Sequence, residues 1–80
     1  LAAANSLTLH TTVDTFIGDG ETNLFMLSKS PFDSNAVFVN ISGVMQLKDS
    51  YVISGNNLTF SESPYAGESI EVTSLSVGNN

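Results

Sequence analysis

Few residues in this chain can do chemistry: one histidine, eight carboxylates, two lysines and no cysteine in 80 residues. A serine nucleophile needs an imidazole base and a strained turn to present it. His10 is the one imidazole, and no Gly-x-Ser-x-Gly pattern surrounds any serine. Carboxylate pairs need less, and Asp14, Asp19, Glu21 and Asp49 are the candidates for acid–base work. A chain with such short loops offers little concave volume to hold a substrate between them. Zinc and iron centres want thiolates or several histidines, which are missing. Asp19 and Glu21 beside glycines offer oxygens to calcium, but two carboxylates make a poor ligand set, and the EF-hand spacing is absent. Asp19 reads instead as the cap of its own turn. Gly18-Asp19-Gly20 lacks the following lysine or helix start that phosphate loops require. The expectation is a non-enzymatic chain with no catalytic residue, no metal and no cofactor.

Charge narrows the partners. The formal net charge is −6 and there is no arginine. Such a surface is repelled by nucleic-acid backbones and by anionic membranes, so neither is expected as a partner. No segment approaches the roughly 20 apolar residues of a membrane helix. Leu1 to Ala4 is too short for a secretion signal and has no basic leader. The chain does not begin with Met and reads as an excised part of something longer. A domain of this size buries only about 60% of the surface of its unfolded chain. With no disulfide to reinforce it, dependence on neighbouring domains or subunits is expected.

The elements that must position these groups follow a two-residue period. Leu7, Leu9, Val13 and Ile17 share one parity and read as a packed face. Thr8, His10, Thr12 and Asp14 share the other and read as wetted, and Phe16 interrupts the alternation. Thr22 to Ser28 reads as a strand with Leu24 and Met26 on one face, and Phe25 and Leu27 on the other. Apolar groups on both faces suggest a central or covered strand. Ala36 to Ile41, Val44 to Leu47, Tyr51 to Ile53, Leu58 to Phe60 and Ile70 to Val72 complete the set. Leu75 and Val77 either extend the last strand or begin a link. The turn-forming residues are Gly18, Asp19, Gly20, Gly43, Gly55, Pro64 and Gly67. No segment carries a helical apolar period. The fold class is therefore all-β: a small antiparallel β-sandwich or partly open barrel of six to seven short strands. Residues 1–6 read as a linker or the end of an upstream element, 7–77 as one domain, and 78–80 as an exit linker.

Several stretches taken in order carry a resemblance. Phe16-Ile17-Gly18-Asp19-Gly20-Glu21-Thr22 and Phe25-Met26-Leu27-Ser28 come first. Val37-Phe38-Val39-Asn40-Ile41-Ser42-Gly43-Val44-Met45-Gln46 follows. Tyr51 to Ser61, Pro64, Gly67 and Ile70-Glu71-Val72 end the series. The chain resembles a recurring β-rich module of tailed-bacteriophage virion proteins, found in tail fibres and related structural proteins of marine phages. The likeness covers residues 13–72 and departs at Ser63, where a second proline is expected before Pro64. It implies a structural module in a virion, contacting other virion proteins as a homo-oligomer, with a trimer among the allowed states. It carries over no catalytic residue. In this setting Val37, Val39 and Ile41 are expected to pack against Val44, Leu58, Phe60, Ile70 and Val72. The outer shell is expected to be Ser, Thr, Asn and Asp. Phe25, Leu27 and Phe38 mark a second apolar face for subunit contacts. The alternative is a receptor- or carbohydrate-binding module, in which Tyr51 and Tyr65 meet a glycan or host receptor.

Overall fold

The computed structural model describes residues 7–79. Seven strands follow one another: β1 (Leu7–Ile17), β2 (Leu24–Met26), β3 (Val37–Ile41), β4 (Val44–Met45), β5 (Tyr51–Ser54), β6 (Asn57–Phe60) and β7 (Ser69–Asn79). Single 3-10 turns at Ser34–Ala36 and Lys48–Ser50 lead into β3 and β5. Two antiparallel sheets result, one in the order β1-β7-β3-β4 and the other β2-β6-β5. They do not close into a barrel, so the fold is a β-sandwich. The expected linker at residues 1–6 lies outside the described residues, as does Asn80. Gly78 and Asn79, expected in an exit linker, continue β7.

The core lies between the sheets. Val37 and Val39 of β3, Ile70 and Val72 of β7, and Leu58 and Phe60 of β6 are all buried, with Phe25, Leu27 and Tyr51 beside them. Four aromatic rings cross it in a row. Phe16 meets Phe25 at 5.1 Å between centroids, Phe25 meets Phe60 at 5.8 Å, and Phe60 meets Tyr51 at 6.3 Å. The tilted and edge-on geometries suit the ring quadrupoles. Ile41 packs at the margin of this group. Val44, expected inside, is 63% exposed because the two-residue β4 extends past the second sheet's cover.

Turn chemistry fixes the registers. Ser42 and Gly43 both take positive φ, 51° and 86°, and join β3 to β4. Two left-handed residues in a two-residue hairpin match the twist of the flanking strands. Where β4 stops, side chains continue its ladder: the Val37 carbonyl accepts from Lys48 Nζ at 2.6 Å and from the Tyr51 hydroxyl at 3.3 Å. At the other end of the sandwich the 18–23 and 61–68 loops bind one another. Gly20 N–H donates to the Pro64 carbonyl, Gly67 N–H to the Gly18 carbonyl, and the Ser63 hydroxyl to the Glu21 carbonyl. The backbones approach so closely that a Cβ on Gly18 would lie 2.4 Å from the Tyr65 carbonyl oxygen. All seven expected turn residues sit between strands.

Two strands are longer than the rest. β1 and β7 pair along all 11 residues of each, from Leu7 opposite Asn79 to Ile17 opposite Ser69. β3 reaches only Ser74 of β7. The remaining ribbon runs on past the sandwich and draws the molecule out to 52 × 18 × 18 Å. The radius of gyration is 14.2 Å, against about 12 Å for a compact domain of this length.

Candidate functional site

Two regions of the surface are built for contact. The first is the outer face of the four-stranded sheet. Directly paired residues share a face, so Leu9 stands beside Val77, Thr11 beside Leu75, and Val13 beside Thr73, with Phe38 next across Thr73. Ile17 closes the row near the turn. Leu9, Val13 and Ile17 are more than half exposed, and Phe38 and Val77 are each 41% exposed. The one charged side chain on this face of β1, β7 and β3 is Glu71. Contiguous apolar surface of this kind is uncommon on a protein with nothing to bury it against.

This inverts the expected faces of β1. Leu9, Val13 and Ile17 point outward, while His10, Thr12, Asp14 and Phe16 are half-buried on the inner side. The inner face is defined by Phe16, which joins the aromatic row, so it does not interrupt the pattern. It belongs to the inward parity. The expected polar shell is corrected with it: the outer face of this sheet is apolar and threonine-rich.

The residues expected at subunit contacts divide. Phe38 is exposed, with Lys48 Nζ 4.8 Å from its ring centre. Phe25 and Leu27 are corrected: they are 8% and 2% exposed, and face the second sheet's own partners. β2, expected to be a central strand or one covered by a neighbour, is an edge strand of the smaller sheet. Its other face, Leu24 and Met26, looks into solvent.

The second region is an open cleft of about 460 Å³ at the loop end of the sandwich. Ile41, Phe60 and Pro64 supply its apolar surface, and Gln46, Glu62 and Glu68 its polar groups. Glu68 is held by the Ser42 hydroxyl, which donates to its Oε2. Tyr65 stands here with 78% of its surface exposed. Tyr51, the other expected ligand contact, is corrected: it is buried, with its hydroxyl spent on the Val37 carbonyl.

Of the four carboxylates singled out for chemistry, Asp14 and Asp19 are occupied in local structure, and Glu21 and Asp49 are exposed. Asp14 Oδ2 accepts from the Ser28 N–H at 3.2 Å. Asp19 Oδ1 accepts from the N–H groups of Glu21 and Thr22, and Oδ2 from the Thr22 hydroxyl at 2.6 Å. These bonds, that of the Thr22 hydroxyl above all, lower the Asp19 pKa from 3.8 to about 2. Asp49 lies in the 3-10 turn before β5. Among the described residues no group of three or more His, Cys, Asp or Glu is placed to hold a metal ion. No helix among them is long and apolar enough to cross a membrane.

Sequence reasoning missed the open face because parity divides a strand into two sides without saying which is covered. It missed the cleft because Gln46 follows β4, while Glu62 and Glu68 come from the two ends of the 61–68 loop. No protein-family model and no curated protein matches the chain.

Proposed function

We propose that the chain is a non-enzymatic assembly module of a tailed-bacteriophage virion, part of a tail fibre or other surface appendage. The phage setting is supported by the ordered series of motifs that runs through residues 13–72. The assembly role is supported by one observation above the rest: the nearly uncharged outer face of Leu9, Val13, Ile17, Phe38 and Val77. On a chain of net charge −6, that face opposes another protein surface with a single carboxylate, Glu71. The partners under this reading are other virion proteins, including further copies of the chain.

Sedimentation of the purified chain and of Phe38→Asp tests the role. Dispersal of a wild-type oligomer into folded monomers by Phe38→Asp is the expected result. A wild-type oligomer that keeps its size with Phe38→Asp removes the outer face from assembly. Electron cryomicroscopy of the parent particle tests the setting: this sandwich should fit density at a repeated surface position.

A second reading, a receptor- or carbohydrate-binding module, has its own support in the exposed ring of Tyr65 beside the cleft carboxylates and Gln46. An aromatic face with flanking acceptors suits a sugar ring. Binding on a glycan array that Tyr65→Ala abolishes is its expected signature, and a silent array counts against it.

A further inference from the structure

We propose that the open edge of β1 docks β1 of a second copy of this chain, the two strands running antiparallel about Thr12. This deepens the assembly reading and rests on it, by naming a partner and a contact.

The edge is unusual among those of this molecule. β4, β2 and β5, the other edge strands, have two, three and four residues. β1 has 11 and, among the described residues, pairs with β7 alone. Proteins protect long edges with lysine, proline, bulges or inward charges. β1 contains no lysine, proline or glycine, and it pairs with β7 without interruption. Its one acidic residue, Asp14, is turned to the inner side and already engaged by Ser28.

The backbone is set for pairing. Gly18 N–H bonds to the Glu68 carbonyl in the β1–β7 register, and Ser42 N–H to the Ser69 carbonyl in the β3–β7 register. Alternation along an antiparallel ladder then directs the even-numbered residues of β1 toward β7. Leu9, Thr11, Val13 and Thr15 direct their N–H and C=O groups to the open side.

The sequence of β1 is complementary to itself. Antiparallel pairing about Thr12 sets Leu9 opposite Thr15 and Thr11 opposite Val13 as hydrogen-bonded pairs, so the open N–H and C=O groups meet. His10 then faces Asp14, and by two-fold symmetry this happens twice. These are non-hydrogen-bonded positions, where side chains stand closest. The imidazole N–H can donate to the Asp14 oxygen that Ser28 does not use.

The two smaller sheets also stand apart. β2 lies under β1 at the Phe16 end, where Phe16 meets Phe25. In this pairing the partner's Phe16 lies opposite Thr8, eight residues away, or ~27 Å along the strand at ~3.4 Å per residue. The product is a sheet of eight strands, four from each copy, with the outer face made continuous. A two-fold contact of this kind closes on itself and leaves no second long edge.

The chain has no cysteine, so a single introduced thiol reports the contact. Mild oxidation of Thr12→Cys is expected to give disulfide-linked dimers at least tenfold faster than Val44→Cys, placed on the short β4 edge. Val13→Pro removes one outward N–H and spares the β7 ladder. It should stay folded by circular dichroism and weaken dimerisation at least tenfold in sedimentation. Equal cross-linking of Thr12→Cys and Val44→Cys overturns the proposal, as does a monomeric wild type at high concentration. Faster cross-linking of Val13→Cys than of Thr12→Cys overturns the register and the His10–Asp14 match. An oligomer dispersed by Phe38→Asp while Thr12→Cys stays uncross-linked refutes edge pairing alone. Cross-linked Thr12→Cys with Phe38→Asp inert sinks the outer-face reading instead.

Discussion

The two halves of the β1–β7 ribbon share one ladder and differ in what lies beneath it. In the near half, Phe16, Ile70 and Val72 point inward onto the second sheet, and Phe16 joins its aromatic row. In the far half the inward residues are His10, Thr12, Ser74 and Ser76. There the 28–36 segment crosses instead, with Ser28 N–H on Asp14 and Phe32 N–H on the Leu75 carbonyl. On the outer side the two halves are alike, with apolar groups and threonine from Leu9 to Ile17. The inner side thus changes from apolar to polar where cover by the second sheet ends, while the outer side does not change. Cover by the second sheet therefore decides the chemistry of the inner side of the ribbon and leaves that of the outer side untouched.

The largest expected effect tests the division of cover. Ile70→Ala, in the near half, should cost about 2–5 kcal/mol, the usual range for an aliphatic side chain truncated in a packed core. Val77→Ala, in the far half on the outer face, should stay within about 0.5 kcal/mol in the monomer. Urea unfolding of both variants checks the contrast. Equal losses would mean that the far half is as well covered as the near half.

How legible this was depended on the kind of signal. The short strands β3 and β6 were readable because Val37, Val39, Leu58 and Phe60 alternate with residues of other chemistry and have one packed side. The corners were readable because Gly43, Gly55 and Gly67 are needed at positive φ. β1 misled because the parity richer in aliphatic residues, Leu9, Val13 and Ile17, faces out, while the inward parity is anchored by Phe16 alone among His10, Thr12 and Asp14. Threonine serves on either side of a sheet, so only the tertiary position of Phe16 decides. Tyr51 misled because a tyrosine at a strand start is equally suited to surface and core. Its hydroxyl found the Val37 carbonyl, left open by the shortness of β4, and a sequence does not show where a ladder will stop. The cleft around Tyr65 was half visible: the exposed ring lay in a turn as expected, but its neighbours arrive from four separate segments.

The junction at the near end gives the next effect in size. Gly18→Ala places a methyl 2.4 Å from the Tyr65 carbonyl oxygen, which must move along with the 61–68 loop. Overpacking of this kind costs about 1–3 kcal/mol. A thermal melt should show the loss, and the Tyr65 loop should exchange its amide protons faster. An unchanged melting temperature would show that the loop contact yields freely.

At the start of the far half lies Ser74, fully buried, with no hydrogen-bond partner for its hydroxyl among the described residues. A buried, unpaired hydroxyl costs about 1–3 kcal/mol of desolvation. Ser74→Ala removes it with little loss of packing and should stabilise the chain by about 1 kcal/mol. For a domain of this size that raises the melting temperature by about 4–8 °C. A fall instead would mean that the hydroxyl is satisfied on the far side of the boundary, and the division between the halves would need to move toward Ser76.

The smallest effect should appear only in acid and only at the near end. Asp19 holds the 18–23 loop through the amides of Glu21 and Thr22 and the Thr22 hydroxyl, and its pKa falls to about 2. A carboxylate whose folded pKa lies below its unfolded value stabilises the fold above the unfolded pKa. That contribution disappears as pH falls through the folded one. The window here runs from about 4 down to about 2. The group is exposed and screened by solvent, so the effect on global stability should be slight. Local exchange is the more sensitive measure. The amides of Glu21 and Thr22 should lose protection relative to those of His10 and Thr12 between pH 4 and pH 2. In Asp19→Asn, whose side chain does not titrate, this pH-dependent difference should vanish. If it persists there, another group closes the loop end, and the assignment of Asp19 as its acid-sensitive latch is wrong.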